Sequence, residues 1–209
     1  VCAKGVEDTA FYRYVPLVSL NEVGGGSGTF GISVARFHRA NAQRRRHWPH
    51  ALLATSTHDT KRAEDVRVRI DVLSELPGAW RLALRRWARL NRSRKRQVDG
   101  RPAPSRRDEY LLYQTLLGSF PPGELDEAAL AAYRERIQRY MQKAAREAKT
   151  ATSWMNVDPA YEEALSAFVE GLLGRRDGNL FLDDFLPLQR RVATIGALNG
   201  LAQTLLKLT

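Results

Sequence analysis

Cysteine is almost missing from this chain: Cys2 is the one example in 209 residues. A single thiol closes no intramolecular disulfide and builds no cysteine-rich zinc site, which predicts a reducing, cytoplasmic setting. Long apolar runs are missing as well. Nothing approaches the ~18 consecutive apolar residues that a membrane span needs, so no membrane partner is expected. No charged segment followed by an apolar stretch opens the chain at Val1, so no signal peptide is expected. What is present is 44% hydrophobic and 27% charged residues, enough for one sizeable core. That composition excludes a disordered tail and a disulfide-stapled miniprotein. The start at Val1 and the end at Leu206-Lys207-Leu208-Thr209 read as cuts through a longer polypeptide.

Acidic residues are outnumbered, 23 against 33 Lys and Arg, for a net charge of +10. The whole excess lies between Arg81 and Arg107, where eleven basic residues face one acid, Asp99; the other positions hold 22 of each sign. A nucleic-acid surface would need a continuous basic face with polar or aromatic readers beside it. Trp80 and Trp87 share one helical face here, but Leu84 and Leu90 flank them, so packing accounts for them better. The basic stretch reads as a solvated helix end and loop, and no nucleic-acid partner is expected.

Residues 1–31 read as irregular, with a polar cluster Glu7-Asp8-Thr9, an aromatic run Phe11-Tyr12-Tyr14 and the flexible stretch Gly24-Gly25-Gly26-Ser27-Gly28. Those glycines lack the G-x-G-x-x-G order of a dinucleotide loop. A short helix is expected from about Ile32 to Arg46. Residues 51–57, bounded by Pro49 and by charge, have the length of one buried strand. Beyond residue 60 the apolar spacing is helical. Its stripes are Val66-Ile70-Leu73, Tyr110-Tyr113-Leu117-Phe120, Leu130 to Ala148, Tyr161-Leu165-Phe168-Leu172, and Phe181 to Leu205. Pro77-Gly78, Pro121-Pro122 and Pro159 punctuate them. Residues 92–107, with Gly100, Pro102 and Pro104, read as an internal linker. The expected fold is mainly α: a helical subdomain over 60–209 and a loop-rich piece over 1–59 carrying about one strand.

The sharpest local feature is Thr55-Ser56-Thr57-His58-Asp59-Thr60-Lys61-Arg62, a His-Asp pair at the carboxyl end of the expected strand. In barrel enzymes, residues at such ends project into the active site. A carboxylate there can hold sugar hydroxyls or stabilise developing positive charge, with the imidazole donating a hydrogen bond. Spacing alone equally allows Asp59 or Thr60 to cap the following helix.

The blocks Ala3-Lys4-Gly5-Val6-Glu7-Asp8-Thr9-Ala10-Phe11-Tyr12, Ser19-Leu20-Asn21-Glu22-Val23-Gly24-Gly25 and Ser56-Thr57-His58-Asp59-Thr60-Lys61-Arg62 with Glu64-Asp65-Val66-Arg67 together resemble maltooligosyltrehalose synthases. These belong to the α-amylase superfamily (glycoside hydrolase family 13) of (β/α)8 barrels. Further likeness lies in Glu109 to Gly118, Lys143 to Lys149, Thr152-Ser153-Trp154 and Gly196 to Thr209. By this resemblance the helical region is the insertion after the seventh barrel strand. The implied reaction is intramolecular transglycosylation, in which the reducing-end α-1,4 bond of a maltooligosaccharide becomes an α,α-1,1 bond. The resemblance makes Asp59 the transition-state-stabilising catalytic carboxylate and His58 its hydroxyl-binding neighbour. Lys4, Glu7, Asp8, Lys61 and Arg62 become candidate substrate-binding residues. No cofactor and no metal are implied; the partners are the maltooligosaccharide and the rest of the parent barrel.

The superfamily's nucleophile and acid/base precede the His-Asp pair, and residues 1–57 hold neither motif. Arg69-Ile70-Asp71 mimics the nucleophile's Arg-x-Asp but falls inside a helical pattern, so Asp71 reads as a solvated helix residue. Retaining chemistry needs two carboxylates across one bond, so no turnover is expected from these 209 residues alone. The alternatives are an α-glucan hydrolase of the same superfamily and a basic helical nucleic-acid-binding module. His38, His47 and His50 lack metal-ligand spacing, Trp154 reads as a core residue, and the amino-terminal third is expected to be loosely held.

Overall fold

A computed structural model describes residues 2–23, 25, 29–174 and 177–208, with the side chains of residues 2–4 and 6 outside the description. The expected glycine-rich loop falls, apart from Gly25, outside the described residues. The order of elements is α1 (Cys2–Arg13), α2 (Val34–His47), α3 (Glu64–Asp71), α4 (Pro77–Leu90), β1 (Arg96–Val98), β2 (Arg101–Ala103), α5 (Arg106–Ser119), α6 (Glu127–Ala148), α7 (Pro159–Leu173) and α8 (Leu180–Leu208). The mainly-α expectation holds, and α2, α5, α6 and α7 start at side-chain caps. Ser33, Ser105, Asp126 and Asp158 each accept a backbone N–H of the first turn, and Pro159 occupies the first helical position of α7.

One apolar core joins these helices. Trp87 of α4, Tyr113 of α5 and Phe181 and Phe185 of α8 meet at ring separations of 5.2–5.8 Å, all essentially inaccessible to solvent. Truncating such a ring to alanine costs about 3–5 kcal/mol, so this cluster is the anchor of the body. α6 packs on α7, while α3 lies between α5 and α8.

Three sequence-based expectations are corrected. Residues 2–13 form a helix, because Phe11 and Tyr12 bury against α6; Gly5 and the polar cluster had hidden that face. Phe11, Tyr12, Val15 and Val18 share the core of the helical body, so residues 11–18 are held to it rather than loosely attached. Residues 51–54 are exposed and form no strand; a lone strand leaves its N–H and C=O groups unpaired, and no neighbour stands beside it among the described residues. Residues 92–107 are no bare linker: β1 and β2 pair antiparallel around Asp99-Gly100 and pack on α7. Both turn residues have positive φ (50° and 71°), the geometry that an Asp-Gly hairpin turn demands.

Candidate functional site

The segment carrying His58 and Asp59 is a short loop fastened to the body at both ends. At its start, the Arg67 guanidinium donates to the Thr55 carbonyl, and the Ser56 hydroxyl donates to the Glu64 carboxylate while accepting from the Glu64 N–H. Those bonds hold the Glu64 carboxyl below its usual range, the Ser56 hydroxyl first among the causes. At its end, Glu22 Oε1 accepts from the backbone N–H groups of Lys61 (2.7 Å) and Arg62 (3.0 Å), and Glu22 Oε2 lies 3.4 Å from Arg67 Nη1. Between the two ties, Thr57 N–H donates to Thr60 Oγ1 at 2.7 Å, and Asp59 N–H donates to Thr57 Oγ1 at 3.3 Å. The turn lifts His58 almost wholly into solvent, with its Nε2 3.8 Å from Asp59 Oδ2.

α1 supplies the adjoining wall. Asp8 Oδ1 lies 2.6 Å from Lys61 Nζ, which joins the two sequence blocks directly. Glu7 is half-buried one residue earlier on the same helix, and Lys4 belongs to its first turns, with its side chain outside the described ones. Arg62 is buried instead: its guanidinium donates to the Val18 carbonyl (3.2 Å) and the Tyr140 hydroxyl (2.7 Å). Burial, then the neighbouring Tyr140 oxygen, pushes the Tyr12 hydroxyl up, so it stays protonated at neutral pH. The end of α1 is fixed by Asn21, whose amide donates to the carbonyls of Phe11 (2.8 Å) and Tyr14 (2.6 Å). Gln114 of α5 accepts from Val18 N–H and donates to the Val15 carbonyl.

Asp8, Lys61 and Arg62 are thus brought together around the His58-Asp59 loop. Sequence reasoning passed over Glu22, Arg67, Gln114 and Tyr140. The first three stand inside the blocks that carry the resemblance, and that was the available signal. An open hollow of about 430 Å³ lies behind the loop, lined by Ser19, Glu22, Gly25, Arg67 and Asp71 among others. Asp71 is not solvated as expected: burial raises its carboxyl pKa, opposed by the Ser19 hydroxyl and by Arg67. Trp154 is not in the core either. It is 52% exposed, its indole N–H donates to Glu147 at 3.0 Å, and Arg146 stands over its ring at 4.9 Å. In the basic stretch, Arg86, Lys95, Arg96 and Arg107 pair with Asp184, Glu109, Glu163 and Asp108, acids that lie outside it in the sequence.

Over 174 residues, 83% of its length, the chain is 41% identical to proteins of two Mycobacterium tuberculosis strains provisionally named maltooligosyl trehalose synthase. It superposes on a solved maltooligosyltrehalose synthase from Arthrobacter ramosus with a TM-score of 0.81 and 39% identity, covering 99% of this chain and 24% of that one. A second solved structure titled maltooligosyl trehalose synthase gives a TM-score of 0.78 at 39% identity, covering 91% of this chain and 24% of the other. Sequence and fold both match this chain to a segment of the maltooligosyltrehalose synthases. No family model matches it. The chain spans 21% of the length of the M. tuberculosis relatives. Among the described residues, no helix is long and apolar enough to cross a membrane, and no three metal-ligating side chains cluster.

Proposed function

We propose that this chain is the part of a maltooligosyltrehalose synthase that presents the third catalytic carboxylate, Asp59, and walls the pocket beside it. The observation that carries the reading is the joined pair of blocks: Lys61, two residues after Asp59, is clamped to Asp8 of α1 at 2.6 Å. An exposed His-Asp turn on a loop tied at both ends suits a group that must meet a sugar without moving. In a retaining reaction the transition state has oxocarbenium character, and a fixed carboxylate beside the ring favours it electrostatically. Asp59 holds hydroxyls of the sugar at the cleavage point, His58 donates to a neighbouring hydroxyl, and the nucleophile and acid/base come from the parent barrel. Lys4, Glu7, Asp8 and Lys61 are the residues assigned to retain the released glucose until its anomeric hydroxyl is rejoined as an α,α-1,1 link. Arg62 backs this wall from the interior. The reading makes the parent an isomerase by intramolecular transglycosylation, acting in the cytoplasm without cofactor, metal or nucleic acid.

The test uses the full-length polypeptide, maltopentaose and the Asp59→Asn variant, following reducing ends and free glucose together. Reducing ends should vanish with little glucose, and Asp59→Asn should be nearly inactive. Glucose rising in step with chain shortening would make the parent a hydrolase and overturn the rearrangement.

A further inference from the structure

We propose that Glu22 is a positioning residue for catalysis, acting through the loop that presents Asp59; this rests on the reading of Asp59 given above. A chain that must hold a carboxylate against a reacting sugar needs its loop fixed to well under 1 Å, since misplacement of that order costs about 10²-fold in rate. Some side-chain ties to this loop come from α3, which follows it closely in the chain: Arg67 to the Thr55 carbonyl and Glu64 to Ser56. Glu22 comes from a segment 39 residues away and reaches Lys61 and Arg62 through their backbone N–H groups. It therefore fixes where the peptide lies two and three residues after Asp59, whatever side chains those positions carry.

The same carboxylate also meets Arg67, so one group couples both ends of the loop. The Glu22 side chain is only 16% exposed, so water competes poorly for its three contacts, and bonds to a charged acceptor are the strong kind. Its own segment is anchored independently. Asn21 binds the end of α1, and a Cβ at Gly25 would stand 2.9 Å from the Glu22 carbonyl, so the backbone closes tightly behind it. Glu22 lines the hollow beside the loop, and its hydrogen bonds go to the loop's backbone and to Arg67. It is a rigid peg between the end of α1 and the loop.

The experiment compares wild type, Glu22→Ala, Glu22→Gln, Asp59→Asn and Glu22→Ala/Asp59→Asn in the full-length enzyme. Maltopentaose is the substrate, and thermal melting is followed alongside. Glu22→Ala should lower kcat about 10²-fold while KM changes severalfold at most. Glu22→Gln keeps an oxygen for both amides and loses the negative charge facing Arg67, so kcat should fall about three- to tenfold. In the Asp59→Asn background, removing Glu22 should cost little more, because the group it positions is already gone. If Glu22→Ala misfolds, Glu22→Gln and its melting curve carry the test. Glu22 variants within about twofold of wild type, or losses that multiply in the double variant, would overturn the proposal while leaving Asp59 intact. A fully active Asp59→Asn would instead remove the reading on which it rests.

Discussion

Gly196 of α8 lies directly beneath Arg69 of α3: a Cβ added there would stand 2.9 Å from the Arg69 Cα and 2.6 Å from its Cγ. Across the same helix, a Cβ on Gly118 of α5 would approach Ile70 and Val66 to 2.9 Å. Two glycines on different helices thus make the slot that seats α3, and α3 carries Glu64 and Arg67, which hold the His58-Asp59 loop. Arg69 closes the joint by donating to the Gly118 carbonyl at 3.1 Å.

Gly196→Ala and Gly118→Ala should each lower stability by about 1–3 kcal/mol, the usual range for overpacking. Gly196→Ala should be the worse, because a backbone atom stands in the way. At Gly78, where no atom lies within 4 Å, alanine should leave urea midpoints unchanged or slightly raised. Equal midpoints for all three variants would show that α3 can shift to make room.

Arg62 was a candidate sugar contact, yet its guanidinium is engaged with Val18 and Tyr140 inside the protein. Arg62→Lys and Arg62→Met should therefore cost about 1–3 kcal/mol of stability, and Tyr140→Phe about 1 kcal/mol. The apparent KM for maltopentaose should stay near wild type. A variant with unchanged melting and a KM raised tenfold or more would restore Arg62 to the substrate surface.

The helices were legible wherever one apolar stripe met one core: the α6 and α7 stripes and the stops at Pro77 and Pro121 need only local spacing. α1 was illegible because Phe11 and Tyr12 bury against a helix more than a hundred residues away, and no local period announces that. The expected strand at 51–57 failed for a related reason. A strand is a property of a sheet, and its ladder partners are not among the described residues. The site divided the same way: the His-Asp turn was visible as a motif, whereas Glu22 acts on backbone N–H groups and leaves no residue preference at its targets. Trp154 was misread because an aromatic beside Thr152-Ser153 can be held on the surface by Arg146 and Glu147 as readily as buried.

Asp71 offers a test with the opposite sign to most carboxylates. Burial raises its pKa against the pull of Ser19 and Arg67, so the ionised form opposes folding. That penalty is complete at neutral pH and fades as pH falls through the raised folded-state pKa toward the unfolded value. Asp71→Asn should be within about 0.5 kcal/mol of wild type at pH 7, on the stabilising side. The advantage should shrink on acidification. A variant clearly less stable at pH 7 would mean that the pull of Ser19 and Arg67 outweighs the burial.

Glu162 of α7 titrates the other way. Arg146 donates to both of its oxygens, at 2.8 and 2.7 Å, and Thr152 and Gln142 add bonds of 2.7 and 2.6 Å. The bidentate Arg146 contact is the main cause that holds this carboxyl at about 2 against an ordinary 4.5, with burial opposing it. The folded-state pKa is depressed, so its stabilisation is complete above about pH 4.5 and is lost as pH falls from there toward 2. Glu162→Gln should cost about 2 kcal/mol at pH 7, the scale of losing hydrogen bonds to a charged group. Its urea midpoint should then fall less steeply than wild type between pH 4.5 and 3. Parallel curves through that window would mean that Glu162 is not the group whose protonation loosens the α6–α7 pair.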